Sequence, residues 1–212
     1  MYLSQIRLDR GQPQARADLA NPYSLHATLC RAFAEEDQAP PRFLWRAEDD
    51  KTPRVLVQST EEPDWGRLAQ RFPGYFCEPP KTGQLPLEHL QPGQILRFRL
   101  RCNPTVTKQG KRHGLSRLED LIGFETPQGE WKPGWLERQS YKGGFGLMGY
   151  MVAQSDKVKM LKHRGGSPIT LQSVLYEGHL RITDLELFKQ TLRSGLGHAK
   201  ALGFGLLSIA KG

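Results

Sequence analysis

The sequence predicts an α+β fold made of two domains that follow one another along the chain. Short segments with apolar residues at alternate positions indicate strands, and they interleave with segments whose apolar residues have helical spacing. Residues 1–102 predict the order β-α-β-β-α-β, and the second half repeats that order imperfectly. With 212 residues, the chain is long enough for two small domains.

The first half contains six predicted elements. Alternating apolar residues and the turn chemistry between them define the strands, and capping residues define the helices. Residues 73–93 are rich in Pro and Gly and predict a loop. The predicted elements are a strand in MYLSQIRLD, a helix from near Asn21, strands in PRFLWRAE and RVLVQST, a helix in EPDWGRLAQRF capped by Asp64, and a strand in GQILRFRLRCNP.

The second half begins after a polar, basic stretch at 103–117, which predicts a linker. Its predicted elements are a helix over 135–141, strands in FGLMGYMVAQ and KVKM, two strands within ITLQSVLYEGHLRITD joined at Glu177-Gly178, a helix in DLELFKQTLRSGLG and a strand in GLLSIA. We therefore predict tandem ferredoxin-like domains over 1–102 and 118–212, an architecture that RNA-recognition modules share. Fold alone does not assign a function.

The charge of the chain predicts a polyanionic partner. The formal net charge is +8 and the pI is about 9.5, and nucleic acid explains this better than a membrane surface because no basic helix carries bulky apolar residues on its opposite face. The amino terminus has no long apolar run, so we predict neither a signal peptide nor a membrane span, and a cytoplasmic protein. Cys30, Cys77 and Cys102 stand far apart, which disfavours a disulfide framework or a thiolate zinc site.

Two basic segments lack any acidic residue. Residues 97–117 contain seven Lys or Arg, and residues 157–164 contain four together with His163. Lys157 and Lys159 alternate with apolar residues, so one face of that strand is predicted to be basic and able to follow an RNA backbone. The alternative is a solvated edge strand whose lysines prevent pairing with other chains.

The stretch ANPYSLHATLCRAF predicts a helix that presents Tyr23 and His26 side by side. Asn21 suits the N-cap and Pro22 the first helical position. Residues three apart are neighbours on a helix surface, and this pair lies off the centre of the apolar stripe. The alternative is a partly buried, hydrogen-bonded pair with no catalytic role.

An imidazole beside a phenol suits cleavage of RNA by its own 2′-hydroxyl. That reaction needs a base for the 2′ proton, an acid for the departing 5′ oxygen and positive charge near the phosphorane. The imidazole of His26 can perform either proton transfer near neutral pH, and the hydroxyl of Tyr23 can orient the nucleophile, contact the phosphate or share in proton transfer. The sequence has no evident carboxylate constellation, so we predict no metal ion and no cofactor.

The ending GLGHAKALGFGLLSIA is the other candidate site. Its glycines permit close approach of the backbone, so the segment can lie against a phosphate, with Lys200 between the glycine pairs. The segment matches neither the dinucleotide-binding pattern nor a P-loop. A tight helix-to-strand junction explains the same glycines equally well. The glycines are Gly195, Gly197, Gly203 and Gly205.

Together, ANPYSLHATL, LRFRLRCNP, VLYEGHLRITD and GLGHAKALGFGLLSIA resemble the CasE-type CRISPR-associated endoribonucleases over almost the whole chain. The glycine-rich ending is shared with the wider RAMP group, while the Asn-Pro-Tyr-x-x-His opening together with the Phe-Arg-Leu-Arg-x-Asn-Pro strand is more specific to the CasE type. The resemblance implies tandem ferredoxin-like domains and metal-independent cleavage of CRISPR precursor RNA beside a repeat stem-loop. It also implies that the enzyme keeps its product and becomes a subunit of the Cascade complex.

By the same resemblance, His26 is the principal catalytic residue and Tyr23 its partner. Position 27 is basic in some relatives and is Ala27 here. The rival interpretation is a non-catalytic RNA-binding RAMP subunit of a CRISPR ribonucleoprotein, which leaves the Tyr23–His26 pair without a purpose. The predicted RNA-binding residues are Arg31, Lys157, Lys159, Lys162, Arg164 and Lys200.

Overall fold

The computed structural model describes residues 1–35, 37–48, 51–161 and 168–212, and these form two compact units. The first unit comprises Met1–Pro86, Met160–Ile169 and Ala201–Gly203, and the second comprises Leu87–Lys159, Thr170–Lys200 and Phe204–Gly212. Across the described residues, no helix is long and apolar enough to cross a membrane.

The described residues of the first unit form four strands and three helices. They are β1 (Tyr2–Arg7), α1 (Pro13–Ala20), α2 (Pro22–Cys30), β2 (Phe43–Glu48), β3 (Arg54–Ser59), α3 (Trp65–Arg71) and β4 (Lys81–Gln84).

In the second unit, the described part of the chain forms one four-stranded sheet, two small hairpins and three helices. They are β5 (Ile95–Cys102), β6 (Thr105–Lys108), β7 (Lys111–Gly114), α4 (Leu118–Ile122), β8 (Phe124–Glu125), β9 (Trp131–Lys132), α5 (Trp135–Lys142), β10 (Phe145–Met160), β11 (Ile169–Ile182), α6 (Leu185–Ser194) and β12 (Leu207–Lys211). Short 3₁₀ segments lie at Leu87–His89 and Lys200–Leu202.

Both four-stranded sheets have the same topology. The strand orders are β2-β3-β1-β4 and β10-β11-β5-β12, so in each sheet the first strand lies between the third and the fourth. The pairings of β1 with β3 and β4, and of β5 with β11 and β12, are antiparallel. This is the ferredoxin-like order, and the predicted fold class is confirmed.

The sequence predicts that the first domain ends at residue 102, but the first sheet ends before β5. Strand β5 pairs with β11 and β12 and is therefore the first strand of the second sheet, not the last strand of the first. The fourth strand of the first sheet is β4, which lies within the predicted loop at 73–93. It pairs with β1. The sequence of β4 is KTGQ, and every residue is exposed, so it has no apolar alternation from which to predict a strand.

The predicted linker at 103–117 contains the β6–β7 hairpin. Its turn residues Gln109 and Gly110 both have positive φ, as the two-residue turns that join antiparallel strands require. Helix α1 was also missed. It begins at Pro13, where the Gln12 side chain accepts a hydrogen bond from the amide of Ala15, but its apolar residues lack helical periodicity.

Strands β10 and β11 are each continuous where the sequence predicts interruptions. Gly178 of β11, the predicted joint, lies within the strand and pairs with Phe98. A Cβ at Gly178 would lie 2.2 Å from the carbonyl oxygen of Gly149 and 2.6 Å from the Cα of Tyr150. Glycine at this position therefore permits close approach of the neighbouring backbone and does not mark a turn.

A buried carboxylate fixes the two helices that follow β1. The side chain of Asp18, on α1, is almost fully buried and accepts hydrogen bonds from Gln14 Nε2 at 2.9 Å and from Ser24 Oγ at 2.5 Å. Its other oxygen accepts from the Tyr75 hydroxyl at 2.6 Å. Burial and the adjacent Asp18 carboxylate raise the pKa of Tyr75, so its hydroxyl keeps the donated proton. Asp18 thereby links α1, α2 and the segment that follows α3.

We expect Asp18→Ala to lower the free energy of unfolding by about 3 kcal/mol, because three donors would lose their common acceptor in the interior. Urea denaturation followed by circular dichroism measures the change. Asp37→Ala removes an exposed carboxylate from the same unit and serves as the control, with an expected change within about 0.5 kcal/mol. Equal stabilities for the two variants would show that the Asp18 network does not hold the fold.

Candidate active site

Helix α2 is fixed at its first turn by Asn21. The Asn21 side-chain oxygen accepts a hydrogen bond from the amide of Tyr23 at 3.1 Å, and Pro22 occupies the first helical position, so the predicted cap is confirmed. The Asn21 side-chain nitrogen donates to the carbonyl of Leu161 at 2.9 Å. The same residue thus holds the start of α2 and the chain segment that leaves β10.

The apolar side of α2 is buried in the core of the first unit, and Tyr23 and His26 lie at the margin of that side. Leu25 and Leu29 belong to the core cluster, whereas Tyr23 and His26 are half-buried. The helix ends at Cys30, and Arg31 forms its C-cap, so the last two residues of the predicted helical stretch, Ala32 and Phe33, lie in the following turn.

The imidazole of His26 is held by two neighbours. Its ring stacks on the ring of Phe43, with centroids 5.1 Å apart and planes inclined by 29°. Its Nε2 lies 3.8 Å from the Sγ of Cys30, one turn further along α2. Its Nδ1 is buried and has no hydrogen-bond partner among the described residues. The ring is therefore oriented by packing and a weak sulfur contact.

Burial sets the protonation of this group of residues. Desolvation lowers the pKa of His26 from its ordinary value of 6.5, so the imidazole is neutral at pH 7. Desolvation also raises the pKa of the Cys30 thiol, and the neighbouring charge of Arg31 opposes that effect only in part. The thiol is protonated, and the contact joins two neutral groups.

Tyr23 and Arg31 complete the described part of the site on α2. Tyr23 is three residues before His26, which places both rings on adjacent positions of one helix surface. The Tyr23 hydroxyl has no hydrogen-bond partner among the described residues. Arg31 follows the helix and lines a groove with residues of α3. The helix therefore presents an imidazole, a phenol and a guanidinium.

The predicted basic face of β10 is present in the second unit. Lys157 and Lys159 are exposed, and they alternate with the half-buried Val158 and the buried Met160. Their role in RNA binding remains a prediction. Lys162 and Arg164, which belong to the same predicted set, lie outside the described residues.

The glycine-rich segment forms the connection from α6 to β12. A Cβ at Gly203 would lie 2.7 Å from the ring of Trp45, and one at Gly205 would lie 2.6 Å from the carbonyl oxygen of Leu196. Both glycines are buried and have positive φ. These contacts support the alternative of a tight junction. All four predicted glycines, Gly195, Gly197, Gly203 and Gly205, adopt positive φ.

Lys200 stands in the 3₁₀ segment Lys200–Leu202 and is half-exposed. It follows His198, whose pKa is lowered by desolvation first and then by the charges of Arg112 and Lys200. A phosphate contact by Lys200 remains a prediction. Within the described ranges, no group of three or more His, Cys, Asp or Glu side chains could hold a metal ion.

The sequence analysis did not identify two residues that surround His26. Cys30 follows His26 by four residues, and helical spacing alone was sufficient to identify it as a neighbour. Phe43 belongs to β2 and reaches His26 only through the packing of α2 on the sheet. No local pattern could have identified it.

Comparison with known proteins gives full-length matches. A family described as "CRISPR associated protein" matches residues 1–211. The chain is 37% identical over 226 residues to the CRISPR-associated endoribonuclease Cse3 of Thermus thermophilus, covering 99% of this chain and 100% of that protein. It is 30% identical over 215 residues to the CRISPR system Cascade subunit CasE of Escherichia coli, covering 99% of both chains. The structure of Thermus thermophilus Cse3 bound to an RNA representing a pre-cleavage complex superimposes with a TM-score of 0.77 at 37% identity, covering 99% of this chain and 98% of that one.

We expect Phe43→Ala to raise the pKa of His26 toward 6.5, because removal of the stacked ring admits water to the imidazole. An NMR titration of the His26 ring protons measures this pKa directly. Phe76→Ala removes an aromatic ring of the same core that packs edge-on against Trp65 and Tyr75 and not on His26. An unchanged pKa in the folded Phe43 variant, or an equal rise in the Phe76 variant, would contradict the assigned cause.

Proposed function

The chain belongs to the CRISPR-associated protein family, and from this premise we propose that it is an endoribonuclease that processes CRISPR precursor RNA. It cleaves the RNA next to the repeat stem-loop without a metal ion, leaves a 2′,3′-cyclic phosphate and a 5′-hydroxyl, and remains bound to the mature guide RNA. Two relatives support this proposal, one described as an endoribonuclease and the other as a Cascade subunit.

The observation that carries the catalytic proposal is the arrangement on α2. Tyr23 and His26 share one surface of a helix that is held rigidly by the Asn21 cap and by the hydrogen bond from Ser24 to Asp18. Reacting groups held in a fixed geometry avoid much of the entropy loss that a free imidazole and phenol would suffer. A rigid helix surface therefore suits an in-line attack on one phosphodiester.

His26 acts as the general base in this proposal. Its lowered pKa keeps the imidazole neutral, which is the form that accepts a proton from the 2′-hydroxyl. The 2′ oxygen then bonds to phosphorus, the bond from phosphorus to the 5′ oxygen breaks, and the 5′ oxygen takes up a proton from water. The imidazolium of His26 then returns its proton to the solvent. Tyr23 orients the reacting groups and donates a hydrogen bond to the phosphate or to the departing oxygen.

Positive charge on the phosphorane comes from Arg31 in this proposal. A guanidinium donates two parallel hydrogen bonds to phosphate oxygens and stays charged at any pH of interest. Lys157 and Lys159 on β10 and Lys200 near the end of the chain bind other phosphates of the same RNA. Lys162 and Arg164, which follow β10 in the sequence, belong to the same proposed set.

The protein retains its RNA product because it binds more phosphates of the RNA than the one at which cleavage occurs. Each neutralised phosphate releases counterions and adds to affinity, so a basic protein that holds the stem-loop does not release it after cleavage. We propose that the retained complex joins other Cascade subunits in the cytoplasm, where precursor transcripts are made. The relative described as a Cascade subunit supports this assignment.

We expect His26→Ala to lower the single-turnover rate of repeat-RNA cleavage by about 10²–10⁴-fold, the usual contribution of general acid–base catalysis. Tyr23→Phe should lower it less, by about tenfold, because the ring remains and only the hydroxyl is removed. The assay uses the native repeat RNA in excess EDTA. His89→Ala, which removes an exposed histidine of the second unit, should cleave at the normal rate.

Two results would reject the proposed mechanism: loss of wild-type cleavage in EDTA, or a normal rate for His26→Ala. Tight binding of the repeat hairpin without cleavage across neutral pH would instead favour the non-catalytic RNA-binding subunit. The cleavage and binding assays together therefore separate the two functions.

The pH dependence tests the role of His26 as base. Under subsaturating RNA, the rate should rise with pH and level off once His26 has released its proton, below the ordinary histidine value of 6.5. Phe43→Ala should move this rise in rate to higher pH. The shift should equal the increase in the His26 pKa that the NMR titration measures for the same variant. A rate that falls as His26 deprotonates would assign this residue the acid role instead.

A further inference from the structure

A second cationic site lies beside the end of α2 in the first unit. A groove of about 420 Å³ separates the turn that follows α2 from the exposed side of α3. The described residues that line it are Arg31, Ala34, Glu35, Arg67, Gln70 and Arg71. Arg31 belongs to the predicted RNA-binding set, whereas the α3 residues have no assigned role.

The groove carries an excess of positive charge. Among its described lining residues, three guanidinium groups face one carboxylate, that of Glu35, which contacts Arg67 with Oε1 3.4 Å from Nη1. This pair is exposed, at 43% for the Arg67 side chain and 65% for that of Glu35. Exposed ion pairs of this kind are weak and easily rearranged. A phosphate can therefore displace Glu35 from Arg67 without breaking a strong interaction.

The donors are arranged for phosphate and not for a metal ion or an apolar ligand. Arg67 is also held by Asp64, with Nε 3.2 Å from Oδ2, and Arg71 lies over the ring of Phe72 at 5.9 Å. Both contacts restrict guanidinium groups that line the groove. Planar guanidinium groups bind phosphate through paired hydrogen bonds, and the amide of Gln70 adds a further donor.

The groove begins at the C-terminal end of α2, beyond His26. Arg31 follows His26 by five residues, which corresponds to about 7.5 Å along the helix axis and about 140° around it. Arg31 therefore lies on a different side of α2 from His26, and it forms one wall of the groove. A strand that runs from His26 around the end of α2 would reach Arg31 and then the α3 residues Arg67 and Arg71.

We propose that this groove binds the phosphodiester backbone of the single-stranded RNA segment that borders the cleaved bond. This inference rests on the proposed function and extends it, because it assigns an α3 site to a part of the RNA outside the stem-loop. A groove of this size between two short helices fits an extended strand, and flexible single strands follow cationic grooves. The site positions the flanking strand so that the scissile phosphate lies against Tyr23 and His26.

The test compares two RNAs in a His26→Ala background, which prevents cleavage during the measurement. One RNA is the native repeat hairpin alone, and the other carries its natural single-stranded extensions on both sides. We expect Arg71→Ala and Arg67→Ala each to weaken binding of the extended RNA about 3- to 10-fold. Each should also reduce the slope of log affinity against log salt by about 0.7 for each phosphate that the variant no longer neutralises. Binding of the hairpin alone should not change.

Two variants serve as controls. Arg16→Ala removes an exposed arginine of α1 in the same unit and should leave the affinities for both RNAs unchanged. Arg71→Lys keeps the charge but not the paired geometry, so it should retain only part of the affinity. Thermal melting confirms that each variant is folded.

The outcomes are separable from the test of the proposed function. Equal decreases in affinity for both RNAs, or no decrease for either, would overturn the groove assignment even if the wild-type protein cleaves normally. No decrease for either RNA would leave an acidic segment of a protein partner as the ligand of the groove. Failure of the wild-type protein to cleave the extended RNA would reject the proposed function and leave the binding comparison valid.

Discussion

The carboxylate of Asp18 determines where the candidate catalytic helix lies. It is buried and accepts hydrogen bonds from side chains on α1, on α2 and after α3, so these segments cannot move independently without leaving a buried polar group unpaired. Ser24, one of the donors, lies between Tyr23 and the core residue Leu25. The position of the helix that carries the proposed proton-transfer residues is therefore a consequence of a buried polar contact.

The packing of α2 on the sheet also determines the chemistry that His26 can perform. Phe43 comes from β2 and covers one side of the imidazole, and Cys30 lies beside Nε2 of the ring. This burial disfavours the charged imidazolium and produces a neutral base, with no carboxylate partner among the described residues. The arrangement differs from a catalytic triad, in which an acidic residue orients the histidine. Here the apolar core supplies the orientation.

The sequence predicted the elements with strong local patterns and missed those without them. Alternating apolar residues identified β5, and the Asn-Pro start identified α2. The exposed residues of β4 carry no such pattern, and this strand is held by its pairing with β1. Because β4 was not recognised, β5 was assigned to the wrong sheet, although the order of strands within each sheet follows the predicted fold.

By itself, the sequence determined the fold class, the basic charge and the adjacency of Tyr23 and His26, because composition, periodicity and helical spacing are local properties. Only the tertiary structure decided which strands pair, because pairing depends on contacts between distant segments. It also decided that Phe43 and Cys30 surround His26 and that Arg31 shares a groove with Arg67 and Arg71. The tertiary structure also decides the protonation state of His26, because the imidazole is buried only when the helix packs on the sheet.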